Sequence, residues 1–336
     1  LDCMIINGQI NDLNILKEAG SNKADFFIAV TDLDEMNIIA CSIVGEQFKV
    51  PNIVAMVKKI EYAHVDTNQG KFLGINYIAN PEIEVANDII RSINYGALGE
   101  VLSFEKTNFL IRNSSVDYKS PIVNTSIKTL KKSTGIDFLV AFILREKDYI
   151  IPSGNTEIRE NDNLYFLSTE ENLEILFNRL GKSKLKLNKI AIGGGGKIGE
   201  YLTDYLLHKH NFNSTHSGRK LFNIFKKRLY RIILIERDLD VCKQLSERFP
   251  EALVLNEDIA DEGIYETNQL YTYDLCITVT GNQELNLISA IYGKTIGIKR
   301  AIAVVEKKNY VSMGTRLGID VAICKNTSTA NRILKL

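Results

Sequence analysis

Short apolar runs alternate with helical patterns in two regions of the chain, and a middle region breaks the alternation. Lys189–Ile192, Tyr230–Ile235, Ala252–Leu255, Leu275–Val279 and Ala301–Val305 are apolar or β-branched runs of strand length. Between them, Lys197–Leu207, Leu239–Phe249 and Leu285–Thr295 carry apolar residues at helical spacing. Strand–helix alternation implies parallel strands joined by right-handed crossovers, so this region is predicted to be a doubly wound α/β sheet.

An internal repeat extends the prediction to the start of the chain. Ile5-Ile6-Asn7-Gly8-Gln9-Ile10-Asn11-Asp12 matches Val254-Leu255-Asn256-Glu257-Asp258-Ile259-Ala260-Asp261 at an offset of 249. At the same offset Asp25 matches Asp274, Ala29-Val30-Thr31 matches Thr278-Val279-Thr280, and Asn37 matches Asn286. One deletion later Tyr62 matches Tyr310, and Ala86-Asn87 resembles Ala330-Asn331. Because the second copy begins near Asn188, about 61 residues of the first copy are expected to precede Leu1. The chain is therefore expected to be a fragment, its first Rossmann-like unit truncated at the N-terminus.

The middle region reads as a small α+β module. Glu100–Glu105 and Phe109–Arg112 alternate like a hairpin, and Phe138–Arg145, Tyr149–Ile151 and Asn163–Leu167 like strands. Ser126–Thr134 and Glu170–Leu180 read as helices, with turn chemistry at Pro152-Ser153-Gly154 and Glu160–Asn163. The expected domains are 1–92, 93–182 and 183–336, with Gly181–Asn188 as a lysine-rich linker.

Composition narrows the function. The 336 residues hold 41 basic and 41 acidic side chains, a balance that argues against a chain built to grip nucleic acid. No apolar run nears the roughly 18–20 residues of a membrane span. Five scattered cysteines, nowhere C-x-x-C, read as buried reduced thiols, and no Cys/His cluster has zinc-ligand spacing.

The strongest chemical motif is Ile192-Gly193-Gly194-Gly195-Gly196-Lys197-Ile198-Gly199. Gly194, Gly196 and Gly199 satisfy G-x-G-x-x-G between a strand and a helix. That pattern allows a tight turn, backbone approach to phosphate, and close helix–sheet packing. The helix N-terminus would present unpaired N–H groups to a phosphate. An acidic residue ending the second strand would bond the ribose hydroxyls, and Glu236 holds that place. It lies 37 residues past Gly199, against about 20 in the usual fingerprint, a surplus explained by a basic insertion over Lys209–Arg231. A carboxylate there disfavours a 2′-phosphate and favours NAD(H) or an adenine nucleotide over NADP(H). Asp258 and Thr280 follow the third and fourth strands, on the ligand side of such a sheet, where they bind ligand or cap the next helix. In the first copy the acidic stretch Thr31–Asn37 caps its helix or serves an interface or ligand.

The chain resembles the TrkA family of Trk-type potassium uptake regulators, which are tandem RCK (KTN) proteins. The residues carrying the resemblance are Ile190–Gly199, Leu234-Ile235-Glu236-Arg237-Asp238, Ala29–Asn37 and the Pro152–Asp162 turn region. It implies an RCK-N, RCK-C, RCK-N order, with a second RCK-C beyond Leu336. It also implies a cytoplasmic homo-oligomer, a dimer or tetramer ring, peripheral on the inner face of the plasma membrane beneath a Trk- or Ktr-type potassium transporter. Regulation by NAD(H) or by ATP/ADP follows from the resemblance. So does nucleotide binding by Gly194, Gly195, Gly196, Lys197, Ile198, Gly199, Glu236 and Arg237, with Asp258 and Thr280 alongside. Gly193, Gln9 in place of the Asp258 equivalent, and the insertion depart from the family pattern. The four histidines do not adjoin strand ends of the second copy, so no acid/base for hydride transfer is expected and the chain reads as a non-enzyme. The insertion, with seven basic and no acidic residues, is a solvated loop or a contact with membrane or transporter.

Overall fold

The structure, a computed structural model, describes residues 3–59, 62, 72–95, 101–103, 107–116, 118, 120–146, 148–181, 187–208 and 230–334. The chain forms two compact units, Leu1–Val85 with Lys325–Leu336, and Ala86–Cys324. The insertion lies outside the described residues except for its last two positions. Arg231 opens a strand, its N–H donating to the Asn188 carbonyl at 2.7 Å, so the insertion ends earlier than the sequence suggests.

The first unit contains α1 (Leu13–Glu18), β1 (Phe26–Ala29), α2 (Asp34–Gln47), β2 (Asn52–Met56), β3 (Tyr77–Ala79) and the start of α3 (Pro81–Asn94). Its strands form a parallel sheet in the order β1-β2-β3. Leu16, Val44, Ile53, Val57 and Ile75 make the core. Ile5–Asn7, which the repeat aligns with a strand of the second copy, forms none here.

In the middle of the chain, β4 (Val101–Ser103), β5 (Phe109–Ser115), β6 (Leu139–Arg145), β7 (Asp148–Ile150) and β8 (Asn163–Thr169) form an antiparallel sheet, order β4-β5-β8-β6-β7. Helices α4 (Ile127–Thr134) and α5 (Glu170–Arg179) belong to this module. Ser126 caps α4 by accepting the Thr129 N–H, and Gly135 ends it at φ 61°, where a side chain would be strained. Phe166 meets Phe138 and Phe177 edge-on at 5.6 and 5.8 Å. Asp162 is fully buried and takes the Arg145 guanidinium fork at 2.7 and 2.8 Å, and the Arg159 N–H at 2.8 Å. That ion pair closes the turn following β7 back onto the sheet.

The second Rossmann-like region runs β9 (Lys189–Gly193), α6 (Lys197–His208), β10 (Arg231–Glu236), α7 (Leu239–Arg248), β11 (Leu253–Asn256), α8 (Gly263–Thr267), β12 (Leu275–Thr278), α9 (Gln283–Thr295), β13 (Arg300–Val305), α10 (Lys308–Arg316) and β14 (Val321–Cys324). Its six parallel strands take the order β11-β10-β9-β12-β13-β14. Ile190–Ile192, Ile232–Ile235 and Ala301–Val305 are buried throughout, as strands covered on both faces require. The order reverses between β9 and β12, and it is outside the carboxyl ends of the strands at such a switch point that sheets of this kind form their ligand crevice. β11 pairs with β10 alone, which explains the first copy: Ile5–Asn7 has no counterpart of β10 beside it among the described residues.

At the opposite end of the sheet, buried Asp274 accepts the N–H groups of Asn188 and Lys189 at 2.8 and 3.0 Å, and the Lys299 ammonium at 2.7 Å. The closing helix α11 (Lys325–Ile333) groups with the first unit, not with the strand it follows. Its Lys325 pairs with Glu82 at 2.8 Å, and its Arg332 donates to the Tyr77 hydroxyl at 2.8 Å.

Two outcomes test these contacts. Asp162→Ala strands a half-buried guanidinium and is expected to cost about 3–5 kcal/mol in denaturant unfolding. Burial alone would raise the Asp274 carboxyl, but Lys299 and the two N–H groups outweigh it and hold it below its ordinary value. Its stabilisation is therefore complete above the unfolded carboxylate value and lost as pH falls through the lower folded value. Asp274→Asn should flatten the loss of melting temperature below about pH 4.

Candidate functional site

The glycine loop is built by close contacts that leave no room for side chains. Gly194 has φ +114°, and a Cβ there would lie 2.9 Å from the Thr280 nitrogen and the Val279 carbonyl carbon. At Gly199 it would lie 2.0 Å from the Gly194 oxygen. At Gly195 it would meet Leu245 at 2.6 Å and the Glu236 side chain at 3.0 Å, and at Gly193 it would meet Ile259 at 2.4 Å. Only at Gly196, among these five, does a Cβ point into open space. Internal packing accounts for four glycines, while the fifth leaves a free backbone surface of the kind a phosphate approaches.

Gly196 and Lys197 are exposed, whereas Ile198 is buried beneath the first turn of α6. The Gly196 carbonyl accepts from Glu200 N at 2.9 Å, so the helix starts at the loop. The first turn of a helix directs its N–H groups outward past the helix end, and the helix dipole adds partial positive charge there.

Glu236 ends β10 and closes against this loop. One carboxylate oxygen accepts the Gly195 N–H at 2.7 Å and the other the Asp238 N–H at 2.9 Å. Each oxygen keeps a lone pair for a further donor. Arg237 beside it is exposed. The Glu236 carbonyl is held by Glu257 N at 3.0 Å, the Cys242 thiol at 3.2 Å and the Asn256 amide at 3.3 Å. That Asn256 amide also donates to the Arg237 carbonyl at 2.8 Å.

Thr280 touches the loop through its backbone. Its own N–H and hydroxyl both donate to the side-chain Oδ1 of Asn286, at 2.9 and 2.7 Å. The Asn286 NH2 group returns to Thr280 O at 3.0 Å and reaches Val304 O at 2.9 Å. Asp258 is exposed, and its carboxylate caps its own turn by accepting Ala260 N at 2.9 Å. Thus Gly194–Gly199, Glu236 and Thr280 come together, with Arg237 at their edge. Asp258 reaches them only through its neighbour Ile259, which fills the space left by Gly193.

Residues 1–81 and 214–325 match the TrkA-N domain family, and residues 113–181 the TrkA-C domain family. The first match covers more than half of the chain. The chain belongs to the TrkA-N family. It is 28% identical to the Trk system potassium uptake protein TrkA of Halomonas elongata and to that of Vibrio alginolyticus, over 99% of this chain and 69% of each relative. A TrkA homolog of Archaeoglobus fulgidus is 26% identical over 100% of this chain and 72% of its own length. Among solved structures, the GsuK channel bound to NAD shares the fold with a TM-score of 0.61 at 18% identity, over 98% of this chain. The chain spans 55% of that GsuK chain. The crystal structure of the GsuK RCK domain gives 0.60 at 18% identity, over 98% of this chain and 65% of that one.

The two copies share one asparagine clamp. Asn37 makes the same four bonds as Asn286: Thr31 N at 2.8 Å, Thr31 Oγ1 at 2.7 Å, Thr31 O at 3.0 Å and Met56 O at 2.8 Å. Both amides are buried. Asp34 does not cap its own helix; it accepts Lys58 N and Lys59 N at 2.9 and 2.8 Å. Gln283 does the same for Glu306 N and Lys307 N at 3.1 and 3.3 Å. The acidic stretch of the first copy thus ties the turn beyond β2, and Glu35 pairs with Lys59 at 2.5 Å.

The asparagines matched by the repeat carried no assigned role in the sequence, although their retention in both copies was the signal. All five cysteines are free; four are buried and Cys3 is exposed. Burial pushes the Cys41 and Cys276 thiols up to about 12.

Asn286→Asp keeps the shape but removes both donors and buries a charge, so it is expected to destabilise by about 2–3 kcal/mol in thermal or denaturant unfolding. Alkylation of the native protein near about pH 8 should stop at Cys3, the other four thiols reacting only after unfolding.

Proposed function

We propose that this chain is the nucleotide-sensing part of a regulatory subunit of a potassium uptake system. Residues 183–336 form the sensing module, 1–92 its counterpart and 93–182 the smaller module between. The observation that carries the proposal is the Glu236 carboxylate, bonded to Gly195 N–H beside a glycine loop whose Gly196 faces open space. Ribose hydroxyls would take the remaining Glu236 lone pairs, and the diphosphate the first turn of α6. Arg237 would meet phosphate charge at the edge, with Thr280 and Asp258 bordering the ligand. The names of the relatives support a role in potassium uptake, and the NAD- and ADP-bound GsuK structures show this fold in nucleotide-bound proteins.

NAD(H) is the ligand this geometry favours, with ATP/ADP as the alternative. Bound nucleotide acts by population shift, favouring one arrangement of the protein by its affinity difference between states, about 1.4 kcal/mol per tenfold. A cytoplasmic homo-oligomer at the inner face of the membrane would pass that bias to a Trk- or Ktr-type transporter subunit.

Calorimetry with NADH, NADPH and ADP tests the site. Wild type should bind NADH, bind NADPH at least about tenfold more weakly, and lose at least about tenfold in affinity on Glu236→Ala. Absence of binding to wild type, or undiminished binding to Glu236→Ala, refutes it.

A further inference from the structure

We infer that Asn256 is a positioning residue for the ribose end of the site, setting nucleotide selectivity through Glu236 without touching the ligand. The inference rests on the nucleotide-binding reading above. Asn256 ends β11, and its single NH2 group spans two consecutive carbonyls, Glu236 O at 3.3 Å and Arg237 O at 2.8 Å. These are the two peptides that flank Arg237, and the first of them leaves the Cα that carries the Glu236 side chain. The next residue along, Glu257, donates its N–H to the same Glu236 carbonyl at 3.0 Å. The carboxyl end of β11 therefore grips the carboxyl end of β10 from outside the crevice.

Inside the crevice the Glu236 carboxylate must satisfy tight geometry. It holds Gly195 N–H at 2.7 Å on one oxygen and Asp238 N–H at 2.9 Å on the other. A rotation of the 236–237 peptide would break at least one of these bonds and turn the free lone pairs away from a ribose. A side-chain amide is suited to resisting that rotation, because its two N–H groups diverge at a fixed angle and can serve two carbonyls at once. A hydroxyl has a single proton to give, and a carboxylate has none.

The repeat supplies an independent observation. Asn7 occupies the position of Asn256 in the first copy, although the residue beside Asp258 changes, Glu257 being matched by Gly8, and Asp258 itself is matched by Gln9. The asparagine persists where its neighbours do not. Exposed Asn256 contributes little to the core, so its retention points to the turn it organises.

The test compares ADP with 2′-deoxy-ADP by calorimetry on the whole chain. Wild type is expected to prefer ADP by about tenfold through the Glu236 carboxylate. In Asn256→Ala and in the isosteric Asn256→Asp, which cannot donate, the preference should fall below about threefold. Glu236→Gln should lose it similarly, and adding Asn256→Ala to that variant should change nothing more, since both act through one contact. A merely structural role would weaken both ligands equally and leave their ratio intact. That result overturns the assignment while leaving nucleotide binding standing. Equal affinity of wild type for the two ligands also overturns it, whereas failure of wild type to bind either nucleotide removes the underlying site reading as well.

Discussion

The second Rossmann-like region depends on one contact between backbones at its switch point. The start of α6 lies so close to the end of β9 that a Cβ on Gly199 would stand 2.0 Å from the Gly194 oxygen. Gly194 in turn presses on the peptide joining Val279 to Thr280. Backbone therefore touches backbone three layers deep, across the point where the strand order reverses. No side chain can relieve such contacts, so the loop is stiff before any ligand arrives. A stiff loop with one open face, at Gly196, is a site that need not be ordered on binding.

Around that contact the polar side chains act on backbone groups more than on one another. Glu236 holds two N–H groups, Asn286 serves the loop behind Gly194, and Asn256 holds the turn behind Glu236. Amides and carboxylates thus tie the loop after β9 to the end of β10, the end of β10 to that of β11, and the loop after β12 to β13, alongside the Ile259 contact at Gly193. This is the expected solution where strand ends meet solvent, because exposed apolar contacts are weak and unpaired peptide groups are costly to bury.

The duplicated asparagine clamp shows which parts of the site are architecture. Asn37 and Asn286 bridge equivalent loops with nearly identical distances, although the first copy lacks a glycine loop among its described residues. The clamp therefore stabilises the helix–strand junction itself, whatever that junction binds. The Asp34 and Gln283 contacts behave alike: Asp34 gives one carboxylate oxygen to each of two successive N–H groups, and the single Gln283 amide oxygen takes both of its pair.

The sequence by itself determined the strand and helix pattern, the repeat, the loop Gly194–Gly199 and the place of Glu236. Those features are local: periodicity, turn residues and spacing along one stretch of chain are enough to state them. Only the tertiary structure decided that Gly196 is open while Gly193, Gly194, Gly195 and Gly199 are filled, since that depends on Ile259, Leu245 and Thr280 arriving from distant elements. It also decided that Asp258 spends its carboxylate on its own turn, that Asp34 serves β2 rather than its own helix, and that Lys325–Ile333 joins the first unit. The difference is physical. A hydrogen bond to a remote backbone group leaves no periodic trace in the chain, whereas burial of one face of a helix or strand must be written into every turn of it.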